Sequence, residues 1–85
     1  RVESATDAQT LKAQGIRLDR RTRMMFDAHH VFINGESFSA GGRDATLMRV
    51  LANERALPAL EVSRLSGQAL VLLTIWWAAG WLNAQ

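Results

Sequence analysis

Residues 1–14 are polar, with small or apolar residues at every third position up to Leu11. This spacing is weakly helical, and Gly15 follows it as glycine commonly follows the end of a helix. A helix this short is marginal by itself, because its nucleation is costly. We therefore interpret residues 1–16 as a linker or the end of an upstream helix, and residues 17–85 as the domain.

Between residues 20 and 40 the apolar positions fall into short runs rich in β-forming residues. Asn34 and Gly35 separate two of these runs. Because a type I′ turn needs positive φ at both central residues, an Asn-Gly pair in this setting predicts a hairpin. We predict a short antiparallel meander from about Thr22 to Ala40.

After residue 42 the spacing of apolar residues becomes helical. The first predicted helix has Asp44 as its cap or first-turn acid, and Pro58 begins a second, short helix. Ser66 is a good N-cap for a third helix, and Gly80 is well placed to end it. This order predicts a small α+β, winged-helix-like domain in which a β-meander or hairpin precedes three helices; a generic α+β domain is the alternative. Further assignments are Leu60, Val62 and Leu65 as apolar positions of the short helix, and Leu82 as the end of the ordered chain.

The third helix has an unusual composition. Residues 69–79 include one polar residue, Thr74, and no charge. A helix that is apolar on every side is expected to be covered on every side. We expect one face to pack on the domain's own core, through Leu70, Leu73 and Trp77. The opposite face would lack a partner in so small a fold. It consists of Val71, Leu72, Ile75 and Trp76.

Three explanations for the second face remain open. Residues 80–85 and the N-terminal segment could cover it, or it could form an interface with another domain or a second copy, or it could enter a membrane. A run of 11 residues is too short for a membrane span of about 20 residues, and it lacks the basic face of an interfacial helix. The candidate protein-contact residues are Leu72, Ile75 and Trp76.

The charge pattern offers one polar candidate. Ten basic residues, nine of them arginine, stand against eight acidic ones, and the net charge is only +2. Four of the arginines form a cluster, which is either a solvated strand or a patch for nucleic acid or an acidic partner: Arg17, Arg20, Arg21 and Arg23. A DNA-reading helix needs polar side chains that reach base edges, and the third helix lacks them. The composition of the third helix therefore argues against nucleic acid as a partner, and the candidate contacts for nucleic acid are Arg20, Arg21 and Arg23.

The sequence contains no recognisable catalytic or metal-binding arrangement. His29 and His30 are adjacent, so in a strand or turn they point apart, and no cysteine or third histidine could complete a metal site. The serines have no histidine and aspartate at a recognisable spacing. We expect a chain that is not itself an enzyme and holds no cofactor. Absence of cysteine and of a signal-like N-terminus leads us to expect a cytoplasmic location without a membrane.

Three segments resemble a known family: LDRRTRMMFD, VFINGESFSAGGRDATLMRVLANERAL and the closing GWL. They are similar to the C-terminal region of bacterial cupin-type, JmjC-like ribosomal-protein hydroxylases, which act on an arginine. The resemblance implies a winged-helix domain that follows a catalytic barrel and a helical dimerisation region. It places Fe(II) and 2-oxoglutarate in the upstream barrel. No His-x-Asp motif occurs here, so no catalytic residue can be carried over.

The resemblance favours a non-catalytic accessory domain that docks, stabilises a dimer or helps to place a protein substrate. Its partners would be the rest of the parent polypeptide, a second copy, or the ribosomal-protein substrate. A second hypothesis is a winged-helix module that binds nucleic acid through residues 17–23 and the hairpin. Winged-helix output domains of response regulators have a similar pattern, but membership of that class would predict a basic third helix, which this sequence lacks. A third hypothesis is an unrelated α+β interaction domain.

Overall fold

The computed structural model describes residues 5–85, with side chains from Asp7 onward. The domain is of the α+β class, as predicted. Its elements, in chain order, are α1 (Ala5–Gln14), β1 (Ile16–Leu18), β2 (Met24–Phe26), β3 (His30–Ile33), β4 (Glu36–Ser39), α2 (Gly42–Glu54), β5 (Ala56–Leu57), α3 (Ala59–Val62), α4 (Gly67–Ala78) and β6 (Leu82–Ala84).

Strands β2, β3 and β4 form the predicted antiparallel meander, in the order β2-β3-β4. Asn34 and Gly35 connect β3 to β4 with φ of 48° and 87°, the positive values that a type I′ turn requires. The register pairs Val31 with Phe38. Their side chains therefore share one face of the sheet, toward the core, where Val31 is 3% exposed. The first strand of the meander begins at Met24, two residues after the expected start.

A second three-stranded sheet was not predicted. Its order is β5-β1-β6, with both outer strands antiparallel to β1. Ile16 pairs with Leu57 on one side and with Ala84 on the other. The prediction that the ordered chain ends at Leu82 is wrong, because Leu82 begins the last strand of this sheet. Strands of two or three residues are too short to show a period, and their partners lie far away in sequence.

Three helices follow the meander, as predicted, but one detail differs. Asp44 lies in the first turn of α2, which is one of the two places predicted for it, and Gly41 occupies the N-cap. The carboxylate of Asp44 accepts hydrogen bonds from the backbone N–H and the hydroxyl of Ser66. Asp44 therefore ties the start of α2 to the start of α4. In α3, Val62 is fully buried, whereas Leu60 is 69% exposed, so its assignment to the apolar face is wrong. A helix of four residues has too few turns to define a face.

Both ends of α4 form as the sequence predicts. The hydroxyl of Ser66 accepts a hydrogen bond from the N–H of Ala69 at 3.2 Å. At the other end the N–H of Trp81 donates to Trp76 O and that of Gly80 to Trp77 O, which is the hydrogen-bond pattern of a Schellman cap. Residues 63–66 connect α3 to α4, so α4 is the second helix of a helix-turn-helix.

The core joins both sheets to the helices. Leu11 of α1 is fully buried in the same cluster as Ile16, Leu51 and Leu73, so a domain boundary at residue 16 would cut through one core. The part of the 1–16 assignment that concerns residues 1–4 lies outside the described residues. None of the helices in the described part of the chain is both long enough and apolar enough to cross a membrane.

Candidate functional site

Helix α4 is buried over a wider arc than one apolar stripe. Its buried side chains lie along two adjacent rows of the helix surface, and its exposed side chains form a third row. The buried side chains are Ala69, Leu70, Leu73, Thr74 and Trp76. The hydroxyl of Thr74, the only polar side chain between residues 69 and 79, donates to the carbonyl of Val71 at 2.7 Å.

Trp76 belongs to the core, and its assignment as a surface contact residue is wrong. It is fully buried, and the ring of Phe38 meets it edge to face with ring centroids 5.5 Å apart. Sequence reasoning placed it on the outer face because it assumed one buried stripe through Leu70, Leu73 and Trp77. A second row, through Ala69, Leu73 and Trp76, is buried as well.

The remaining candidates on α4 are accessible. Val71 is 53% and Ile75 is 40% exposed, and Leu72 beside them is half-buried. We call these three residues the α4 stripe. No charged side chain occurs anywhere between Gly67 and Ala79. The C-terminal segment leaves the stripe exposed: β6 pairs with β1, and Val71 and Ile75 keep their exposure with this segment in place.

An open groove runs between strand β4 and two residues of the α4 stripe, Val71 and Leu72. It continues into a cavity of about 430 Å³, which Trp76 and Asp44 line together with Phe38. Among the described side chains, the indole Nε1 of Trp76 is the one buried nitrogen or oxygen without a hydrogen-bond partner. The residues that line the outer part of the groove are Ser37, Phe38, Ser39, Gln68, Val71 and Leu72.

Sequence reasoning missed the strand side of this groove. The signal that could have found it is the Asn34-Gly35 pair, since a two-residue turn fixes the register of the hairpin. That register places Ser37 and Ser39 on the edge of the last strand of the meander.

The arginine cluster lies elsewhere, before β2. Arg20, Arg21 and Arg23 are all exposed, but none of them lines the groove beside α4. The backbone N–H of Arg21 donates to Asp19 Oδ1 at 3.0 Å, and its guanidinium lies 3.6 Å from the same oxygen. The hydrogen bond from this N–H, aided by the nearby guanidinium, lowers the pKa of Asp19. The carboxylate therefore stays charged and partly offsets the positive charge of the cluster.

The histidines occupy a turn. Asp27 Oδ1 accepts hydrogen bonds from the backbone N–H groups of His29 and His30, both at 2.8 Å. These two bonds lower the pKa of Asp27. Within residues 7–85 no three His, Cys, Asp or Glu side chains come together as a possible metal site. The arrangement found here shapes the connection between β2 and β3.

Comparison with known proteins agrees with the fold. No curated protein and no solved structure matches the chain. The model of one family, described as ROXA-like winged helix, matches residues 1–83. Because this match covers nearly the whole sequence, the chain belongs to the ROXA-like winged-helix family.

Proposed function

We propose that this domain is a non-catalytic accessory module that binds protein through the α4 stripe. The observation that carries the proposal is an uncharged α4 with Val71 and Ile75 exposed. A DNA-reading winged helix presents polar side chains from the helix at this position. Exposed apolar side chains on successive turns instead favour association with another apolar surface, which removes them from water.

The parent of the module would be a 2-oxoglutarate- and Fe(II)-dependent ribosomal-protein hydroxylase. Membership of the ROXA-like family supports this proposal, as does the resemblance of the three segments quoted above. The iron and 2-oxoglutarate would belong to a barrel outside this chain. The domain itself would dock on the rest of the polypeptide or on a second copy, or would help to position the protein substrate for the reaction. We propose the cytoplasm as its location.

Nucleic-acid binding is the alternative, and the exposure of Arg20, Arg21 and Arg23 favours it. Contacts to phosphates alone would give sequence-independent binding that falls steeply with salt. Fluorescence anisotropy with labelled duplex DNA and an RNA hairpin tests this alternative. Binding near or below about 1 μM at physiological salt would make the arginine cluster the site.

Covalent side-chain footprinting tests the docking proposal. The labelling of Val71 and Ile75 is measured in the 85-residue chain and in the full-length parent. We expect it to fall severalfold in the parent, because the partner surface excludes the reagent. Leu60 is the internal control, since it is 69% exposed on α3 and should react equally in both. Equal labelling of the α4 stripe in both proteins would contradict docking on the rest of the parent polypeptide or on a second copy.

A pair of substitutions separates docking from catalysis. Ile75→Lys in the parent places a charge on the α4 stripe, and we expect it to weaken docking or dimerisation while iron loading stays unchanged. Leu60→Lys is the matched control, because it adds the same charge at an exposed apolar position on another helix. Loss of iron in parallel with loss of docking would count against an accessory role.

A further inference from the structure

Strand β4 has one unpaired edge. It is the last strand of the β2-β3-β4 sheet, and no other strand of the described chain pairs with it. An exposed strand edge offers backbone donors and acceptors to any extended segment that reaches it. Natural edges are commonly protected by lysine, proline or a bulge, but β4 has the sequence ESFS, with Glu36 as its only charge.

The hairpin register shows which backbone groups face outward. The N–H of Ala40 donates to the carbonyl of His29 at 3.0 Å, so residues 29 and 40 form a hydrogen-bonded pair. Hydrogen-bonded and non-hydrogen-bonded pairs alternate along an antiparallel ladder. Phe38 therefore pairs its backbone groups with β3, whereas the N–H and C=O groups of Ser37 and Ser39 point away from it.

Helix α4 forms the opposite wall of a groove along this edge. Gln68, Val71 and Leu72 line the groove together with the two serines, and its volume is about 550 Å³. A strand edge beside an apolar helix is the arrangement that binds extended peptides by strand addition. In that mode main-chain hydrogen bonds give affinity, and alternate side chains enter the pocket.

We propose that the groove between β4 and α4 binds an extended segment of a separate partner protein, which adds to β4 as a fourth strand. The inference rests on the proposed docking role and specifies how the partner binds. The backbone of the segment would pair with Ser37 and Ser39. Every second side chain would then lie against the α4 stripe.

The walls of the groove favour a lone strand over a second copy of this chain. The β4 strand of a second copy is already paired with its own β3 along one side. A strand that enters the groove has β4 on one side and α4 on the other, so the β3 of a second copy would meet α4. An isolated extended segment has no such neighbour and fits between the two walls.

The groove also determines the chemistry of the segment. Among the residues that the structure describes, Asp44 is the only charged one that lines the groove or the adjoining cavity. Its two carboxylate oxygens already accept hydrogen bonds from Ser66. The side chains that face the groove should therefore be apolar, and β-branched residues suit an extended segment best. Polar residues should alternate with them on the solvent side.

Peptide titration by NMR tests the inference with the 85-residue chain. The probe is the synthetic peptide Lys-Val-Thr-Val-Thr-Val-Lys. On binding, we expect the amide hydrogens of Ser37 and Ser39 to become protected from exchange. The amide of Phe38 is the internal control, because β3 already protects it. Exchange can be read on the wild-type chain, so the test does not depend on a variant that folds.

Three substitutions distinguish the two walls. Ser39→Pro removes an outward N–H without breaking a bond to β3, and we expect peptide binding to weaken roughly tenfold or more. Ser39→Ala keeps the N–H and should bind as the wild type does. Val71→Lys charges the helix wall and should also abolish binding.

The outcomes separate this inference from the docking role. If Val71→Lys abolishes binding but Ser39→Pro leaves it intact, strand addition is wrong and docking through the α4 stripe stands. If no variant changes binding, both are wrong. Failure of the peptide to bind the wild type would overturn strand addition. Protection of the serine amides that rises with protein concentration alone, without peptide, would also overturn it, because the occupant would then be a second copy.

Discussion

Replacing Trp76 tests whether the core is assigned correctly, because sequence reasoning placed this residue on the surface. Its side chain is fully buried, and Trp76→Ala leaves a large cavity beside Phe38. Truncation of a buried tryptophan to alanine typically costs about 3–5 kcal/mol. A domain of this size has a total stability of roughly 4–13 kcal/mol. The variant should therefore lose much of its stability.

Two companion substitutions calibrate this cost. Trp76→Phe removes the unpaired Nε1 together with part of the ring. Because an unsatisfied buried donor itself costs about 1–3 kcal/mol, we expect a net loss of only about 1–2 kcal/mol. Ile75→Ala, at a position that is 40% exposed, should cost about 1 kcal/mol, since much of the side chain is already in water.

The assay is urea unfolding followed by far-UV circular dichroism, which avoids the change in tryptophan content. Free energies come from linear extrapolation, and an unchanged slope shows that the variants unfold by the same transition. We expect the losses to rank Trp76→Ala above Trp76→Phe, with Ile75→Ala as the smallest. A loss of less than about 1 kcal/mol for Trp76→Ala, or one no larger than that of Ile75→Ala, would refute the buried position of this side chain.

Three further predictions concern single positions. Gly15→Ala should cost about 3 kcal/mol or more, because φ is +79° and the new Cβ would lie 2.8 Å from backbone atoms. Gly35→Ala, at φ +87° but with no neighbouring atom within 4 Å, should cost only about 1 kcal/mol. If urea unfolding shows the same loss of stability for Gly15→Ala and Gly35→Ala, the steric argument is wrong. Ser66→Ala should lower the stability by about 1 kcal/mol, because α4 loses its N-cap, and Ser66→Gly should lower it less. Thermal unfolding of the two variants measures which loses more stability, and an unchanged stability in both would contradict the role of the cap. Asp27 has a folded-state pKa below its ordinary value of 3.8. Its carboxylate therefore stabilises the fold above about pH 3.8 and loses this effect as the pH falls through the lower folded value. Asp27→Asn should flatten this acid part of the stability profile, and an unchanged profile would show that the turn contributes nothing to it.

Features with a local physical cause could be predicted from the sequence. Asn34 and Gly35 specify their turn because few residue pairs adopt positive φ twice in succession. Ser66 and Gly80 mark the ends of α4 because each satisfies backbone groups that the helix leaves unpaired. These signals were enough for the meander, the three helices that follow it and the fold class.

Features that depend on distant partners could not be predicted in this way. Ile16 joins a sheet only because residues 57 and 84 lie on either side of it. The buried arc of α4 depends on what surrounds it, because an all-apolar helix has no polar face to orient it. This is why Trp76 was misplaced while Ile75 was assigned correctly to the exposed side.

The size of the α4 stripe limits how it can bind. About half of the side-chain surface of Val71 and of Ile75 is still exposed, and complete burial of that half gains about 1 kcal/mol for each residue. Leu72 is already half-buried and adds less. Association of two free molecules costs about 4–15 kcal/mol in lost motion. The stripe alone therefore cannot hold a separate partner.

Binding through the stripe needs either a covalently connected partner, for which the effective concentration is high, or further contacts beside it. The unpaired groups of Ser37 and Ser39 are the nearest source of such contacts, since they border the same groove. A free partner should therefore require both walls of the groove, whereas a connected domain could dock on the helix alone.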